Sequence, residues 1–225
     1  SFRPVTKVNM DIYENAKKLF FAENKVEEDN TNIIFEITLA NLRSEGKINE
    51  RDFLDRAELL CSLGQNVMIS NFQEYYKLVE YFSEFSKMRM GLALGVESLI
   101  NIFDEKYYRK LSGGILEAIG KMYFKDLKIY AYPLKDRNTG KIVTSENLIV
   151  HPRMKELYKF FKNNGKLIDI KNYDPNILTV FSTTILDMIA KSKKGWEEMV
   201  PEGISDLIKT KSLFGYPKGR NSLKK

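Results

Sequence analysis

Four short apolar runs, at residues 33–39, 67–70, 90–94 and 127–132, alternate along the chain with stretches whose apolar residues recur at helical spacing. Strand-length runs separated by amphipathic helices are the pattern of βα units, which feed a mostly parallel sheet. The spacing of Ile12, Ala16, Leu19 and Phe20 predicts a helix over 10–22. A second helix starts near Asn49 and stops at Gly64, a good left-handed C′ residue. A third opens on Asn71 as cap with Glu74 three positions on, and carries Tyr75, Leu78, Val79, Phe82 and Phe85 on its apolar face. A helical run follows from Val96 to near Leu111. Ser112-Gly113-Gly114 interrupts it, and the period resumes over 115–124.

Beyond the fourth run, Asp136-Arg137-Asn138-Thr139-Gly140 has turn chemistry and predicts a hairpin tip with 142–144 returning. The character then changes. Pro152 stands at a first helical position and Gly165 at the matching end. A short fifth strand is predicted over 166–170. Asp174-Pro175 caps a further helix reaching Ala190, and short helical pieces cover 196–200 and 204–208. The fold class is therefore α/β, with four to five mostly parallel strands flanked by helices and a helical C-terminal third. A Rossmann-like open sheet is the first reading, and part of a β/α barrel the second. In domain terms, residues 1–150 read as the α/β sheet region and 151–225 as a mainly helical extension packing on it.

Composition narrows this picture. A hydrophobic fraction of 43% and a charged fraction of 29% suit a folded globular chain and argue against disorder. No apolar stretch approaches the roughly 18 residues of a membrane span. Ser1-Phe2-Arg3-Pro4 opens the chain without methionine, which suggests a fragment of a longer polypeptide. The single cysteine excludes an internal disulfide framework and favours a reducing, cytoplasmic compartment. Cys61 itself, inside Leu60-Cys61-Ser62-Leu63, is expected to be a small buried hydrophobe rather than a nucleophile. The net charge of +6 traces to two clusters, Lys191, Lys193 and Lys194, and then Lys218, Arg220, Lys224 and Lys225. These read as a solvated loop and a tail. No aromatic residues interleave with the terminal cluster as single-strand binding wants, so nucleic acid is not an expected partner.

In parallel sheets, ligands bind outside the C-terminal ends of the strands. The residues at those ends are Arg43 after the first run, Ser70 and Asn71 after the second, Glu97 after the third, and Tyr132 and Arg137 at and after the fourth. Such a mixture of hydrogen-bonding and cationic groups suits a small anionic or phosphorylated ligand, with Arg43, Ser70, Asn71, Tyr132 and Arg137 as binding residues. Glu36 is unusual in an otherwise apolar strand, because a carboxylate there needs a partner. Glu36 and Glu97 are the acid/base candidates. Against this stands a plainer account, in which Ser70-Asn71 only caps a helix and Arg43 is only solvated. Ser112-Gly113-Gly114 could offer backbone N–H groups to a phosphate. It matches neither a Walker loop nor GxGxxG, and a tight helix–helix turn explains it as well. Glu105 and Arg109 are expected to pair at helical i,i+4 spacing. With one histidine, His151, no His-rich metal site can be built, and nothing points to a particular cofactor.

Ser1-Phe2-Arg3-Pro4-Val5-Thr6, Met68-Ile69-Ser70-Asn71-Phe72, Glu105-Lys106-Tyr107-Tyr108, Gly113-Gly114-Ile115-Leu116-Glu117 and Leu213-Phe214-Gly215-Tyr216 together resemble the C-terminal half of a bacterial family. Its members are roughly double this length, a size that suits more than one domain. The resemblance covers the whole chain and implies that an N-terminal half of the same polypeptide is a partner. Members often carry the labels nicotinate-nucleotide adenylyltransferase or TonB-dependent receptor. The residues here support neither. An adenylyltransferase of that class needs a His-x-x-His or Thr/His-x-Gly-His signature near its first strand. A TonB-dependent receptor is a membrane β-barrel with many alternating strands, whereas this chain is rich in helical period. The resemblance brings no established activity. The remaining alternative is a non-catalytic domain for packing or homo-oligomer formation, with the aromatic helix over 75–85 as its interface.

Overall fold

All four apolar runs form strands in the computed structural model, which describes residues 2–39, 50–123 and 125–217. Contacts divide the chain into two units. One comprises Ser1–Asp11, Asn32–Asn71 and Val180–Lys225, and the other Ile12–Thr31 and Phe72–Thr179. The division falls within α1 (Lys7–Phe21). Five strands pair in parallel, as the βα pattern requires, and they form one sheet of two strands and one of three.

In the first unit, β1 (Ile34–Thr38) pairs with β2 (Asn66–Ser70) in a register that sets Glu36 opposite Met68 and Thr38 opposite Ser70. Phe35 and Ile37 are buried on one face of β1, while Glu36 and Thr38 share the other with period two. Between the two strands runs α2 (Glu50–Ser62), which packs on β2 and is followed by Gly64 in the left-handed region (φ 73°). Its buried stripe is Asp52, Asp55, Arg56, Leu59 and Leu60, a helical spacing that leaves Cys61 one residue off the stripe. Cys61 is exposed, which corrects the expectation of a buried thiol. Three of the five stripe residues are charged. Asp52 bonds Arg3 at 2.6 Å and also pairs with Arg56 one turn on, and Asp55 accepts the Phe214 N–H at 2.6 Å.

The unit closes with α7 (Ser182–Ala190), a 3-10 turn at Trp196–Met199, α8 (Ile204–Lys211) and a 3-10 turn at Leu213–Gly215 that touches α2, α7 and α8. The helix expected from Asp174 begins only at Ser182. The Asp174 carboxylate instead accepts the Asn176 N–H at 2.8 Å, a local turn that competes with helix initiation.

In the second unit β4 (Leu127–Tyr132) is the central strand, flanked by β3 (Met90–Gly95) and β7 (Leu167–Asp169). Five of its six residues are buried, as expected of a parallel strand covered on both faces. Around it lie α3 (Tyr75–Phe85), α4 (Glu97–Ile102), α5 (Gly114–Tyr123) and α6 (Lys155–Asn163), whose Val79, Leu99, Ile119 and Phe161 meet Leu127 and Ile129 in one apolar core. The run from Val96 breaks after Ile102 and continues as a 3-10 turn at Glu105–Tyr108. That break separates Glu105 from the helical geometry that would pair it with Arg109. Glu105 meets Arg153 at 3.6 Å instead. The hairpin forms as expected, with β5 (Leu134–Lys135) antiparallel to β6 (Ile142–Val143). Asp136 holds its turn by accepting the Thr139 N–H at 2.7 Å.

Candidate functional site

The C-terminal ends of β1 and β2 bring Glu36 and Ser70 together. Both side chains lie on the same face, and the Ser70 hydroxyl donates to Glu36 Oε1. Ser70 is buried and Glu36 half-buried, and no ion pair to Glu36 is formed among the described residues. Burial pushes the Glu36 carboxyl above its ordinary value, and the hydrogen bond from Ser70 pulls it part of the way back. Thr38 completes the polar face of this strand pair.

Asn71 follows directly and is exposed. It does not serve as the cap expected of it. The N-terminal cap position of α3 is Glu74, and no side chain bonds there. The Asn71 amide makes no hydrogen bond among the described residues. The plain capping account of Ser70-Asn71 therefore fails: the hydroxyl goes to Glu36, and the amide faces solvent. Arg43 lies outside the described residues.

Glu97, Tyr132 and Arg137 belong to the second unit. Glu97 opens α4 and is exposed, where its charge favours the positive end of the helix. Tyr132 ends β4 opposite Gly95 and is buried, its ring edge-on to Tyr173 at 6.1 Å. Arg137 sits in the exposed hairpin turn that Asp136 organises.

At the same end of this sheet, Asp169 on β7 accepts the Ser145 N–H at 3.0 Å and its hydroxyl at 2.9 Å. The Tyr158 hydroxyl donates to the Ser145 carbonyl at 2.7 Å, and burial pushes this phenol up to about 12. The sequence reading missed this trio, although Asp169 stands at the end of a strand where polar residues gather. Its bonds tie down the loop after β6. The glycine turn is likewise internally satisfied, since Glu117 Oε2 accepts the Gly113 N–H at 3.0 Å and Leu111 accepts that of Gly114 at 3.0 Å. These N–H groups are not offered to a phosphate. His151 Nδ1 accepts the Arg153 N–H at 3.4 Å, a cap on the 3-10 turn Pro152–Met154.

The fold and these strand ends define an α/β protein built on parallel strands flanked by helices. No model of a known protein family matches the chain, and no curated protein matches it. Among the described residues, no helix is long and apolar enough to cross a membrane.

Proposed function

We propose that the first unit binds a small anionic or phosphorylated metabolite at the C-terminal ends of β1 and β2, with Glu36 as the group that handles a proton. The observation that carries this reading is the Glu36–Ser70 pair, a half-buried carboxyl raised by burial and bonded to a hydroxyl rather than to a cation. A carboxyl that keeps its proton to higher pH can donate to an anionic oxygen instead of repelling it. Asn71 supplies an amide beside it, and Arg43 is the cation that this reading assigns to the anion. In the same reading the protein acts in the bacterial cytoplasm, packed against the N-terminal half of a longer polypeptide. The lone cysteine and the family resemblance support that setting.

Thermal unfolding against nucleotides, sugar phosphates and divalent metals tests the binding. A ligand of this site raises the midpoint with concentration, because it binds only the native state. Arg43→Ala and Asn71→Ala each reduce that rise and leave the free protein's midpoint unchanged. A rise that both substitutions leave unchanged, or none with any phosphorylated compound, removes the reading.

One observation favours the packing alternative. Tyr81 and Phe85 on α3 meet at tilted angles, Tyr81 lying 5.6 Å from the Phe72 ring and 5.0 Å from that of Phe85, and Phe85 is 72% exposed. Such a face suits an interface, and sedimentation of the wild type and of Phe85→Ser measures whether it makes one.

A further inference from the structure

We propose that the first unit carries a separate oxyanion site, at the end of α7, that takes the phosphate of a small phosphorylated molecule. None of its residues lies on β1 or β2, so it stands apart from the strand-end reading. An open cavity of about 510 Å³ lies between the turn after α7 and helix α8, and three lysines, Lys193, Lys194 and Lys209, line it with Trp196 and Tyr216.

The chain builds this turn firmly. The Lys193 N–H donates to the Met188 carbonyl at 2.8 Å and the Ser192 N–H to that of Ile189 at 3.1 Å. These bonds close α7, with Ser192 held in the left-handed region (φ 52°) and Gly195 likewise (φ 98°). Trp196 is buried beneath the turn, its ring 6.2 Å from that of Tyr216. Lys209 reaches in from α8, its Nζ 5.5 Å above the Trp196 ring and 2.8 Å from Glu197 Oε1.

The charges decide the ligand. Glu197 is already engaged, by Lys209 on one oxygen and by the Gly195 N–H at 2.9 Å on the other. Lys191, the third lysine of the sequence cluster, pairs with Asp187 at 2.6 Å and does not line the cavity. Lys193 and Lys194 are left exposed, with no ion pair among the described residues, and Glu198 is the other carboxylate on the lining. Three ammonium groups against two carboxylates leave a net positive cavity with two uncommitted donors. Such a concavity attracts an oxyanion, which the Lys193 and Lys194 ammonium groups can bond. The sequence reading of this cluster as merely solvated overlooked that Lys209, distant in the chain, faces it.

Trp196 is the only tryptophan, so its emission reports on this cavity alone. The experiment titrates the whole chain with pyrophosphate and, separately, with glucose 6-phosphate, each against chloride at matched ionic strength. The expected result is a saturable change in Trp196 emission that chloride does not reproduce. Response to both compounds identifies a phosphate ester site, and response to pyrophosphate alone a free-diphosphate site. Lys193→Ala and Lys194→Ala each weaken the apparent Kd about tenfold, equivalent to about 1.4 kcal/mol. Lys191→Ala removes a charge that Asp187 already balances, outside the cavity lining, and keeps Kd within about twofold. Calorimetric titration of the same variants gives a readout independent of fluorescence. A response that follows ionic strength alone, or equal losses in Lys191→Ala and Lys193→Ala, overturns the proposal.

Discussion

Ser70 at the end of β2 donates its hydroxyl to the carboxylate of Glu36, two register positions back on β1. Burial raises the Glu36 carboxyl and the hydroxyl partly opposes it, so the folded chain holds this proton more tightly than the unfolded chain does. Its contribution to stability is fully present below the ordinary carboxylate value and is lost as pH rises through the folded value. Glu36→Gln is therefore expected to unfold at a higher temperature than the wild type at pH 8, with the gap closing toward pH 4. Ser70→Ala raises the carboxyl further, which ¹³C titration reads directly, and costs about 0.5–1.5 kcal/mol for the lost bond. A gap between Glu36→Gln and wild type that does not vary with pH would show that burial does not control this group.

Asp52 and Arg56 form an ion pair on the buried stripe of α2, where each residue is only 5% exposed. Removing Asp52 leaves the buried Arg56 without its partner and Arg3 without its 2.6 Å bond. Asp52→Ala is expected to cost about 3–5 kcal/mol in urea unfolding, and the double change Asp52→Ala with Arg56→Met to recover most of it. Equal losses in the single and double variants would assign the cost to packing instead.

Gly91 on β3 faces the Phe20 and Tyr130 rings, which meet edge-on at 6.4 Å. A Cβ at this position would lie 2.8 Å from Phe20 Cδ2 and 3.1 Å from Tyr130 Cε2. Gly91→Ala forces the rings apart and is expected to destabilise by about 1–3 kcal/mol. Phe20→Leu in the same background should return part of that loss in denaturant unfolding.

Asp169 clamps Ser145 through two hydrogen bonds. Asp169→Ala leaves the buried Ser145 groups unsatisfied, at a cost of about 1–3 kcal/mol. Hydrogen exchange at the Ser145 amide should quicken well beyond that of the β4 amides. Uniform acceleration across both would instead report global destabilisation.

The strands and most helices were legible in the residues because their signals are local. Period two in 33–39 and period 3.6 in 75–85 depend only on neighbours in the chain. The strand at 127–132 has the bounds its apolar run gives, and Gly64 and Gly165 end helices where their left-handed backbone is needed. Within the site, Glu36 stood out because a carboxylate interrupts an apolar strand, and the need for a partner was legible with it. The partner's identity was not, since Ser70 lies 34 residues away and only the register of β1 and β2 delivers it.

Tertiary structure alone decided which strands share a sheet, because backbone donors and acceptors carry no sequence label. It also set Cys61 outside the stripe that buries Leu59 and Leu60, and it turned Asp52 and Arg56 inward, where a local reading expects charge to be solvated. The same holds for the lysines near Trp196: the cluster is visible in the chain, but the opposing Lys209 comes from another helix. Periodicity, a property of the chain, determined the elements; the partners of charged and polar side chains were decided by contacts between segments that only folding brings into range.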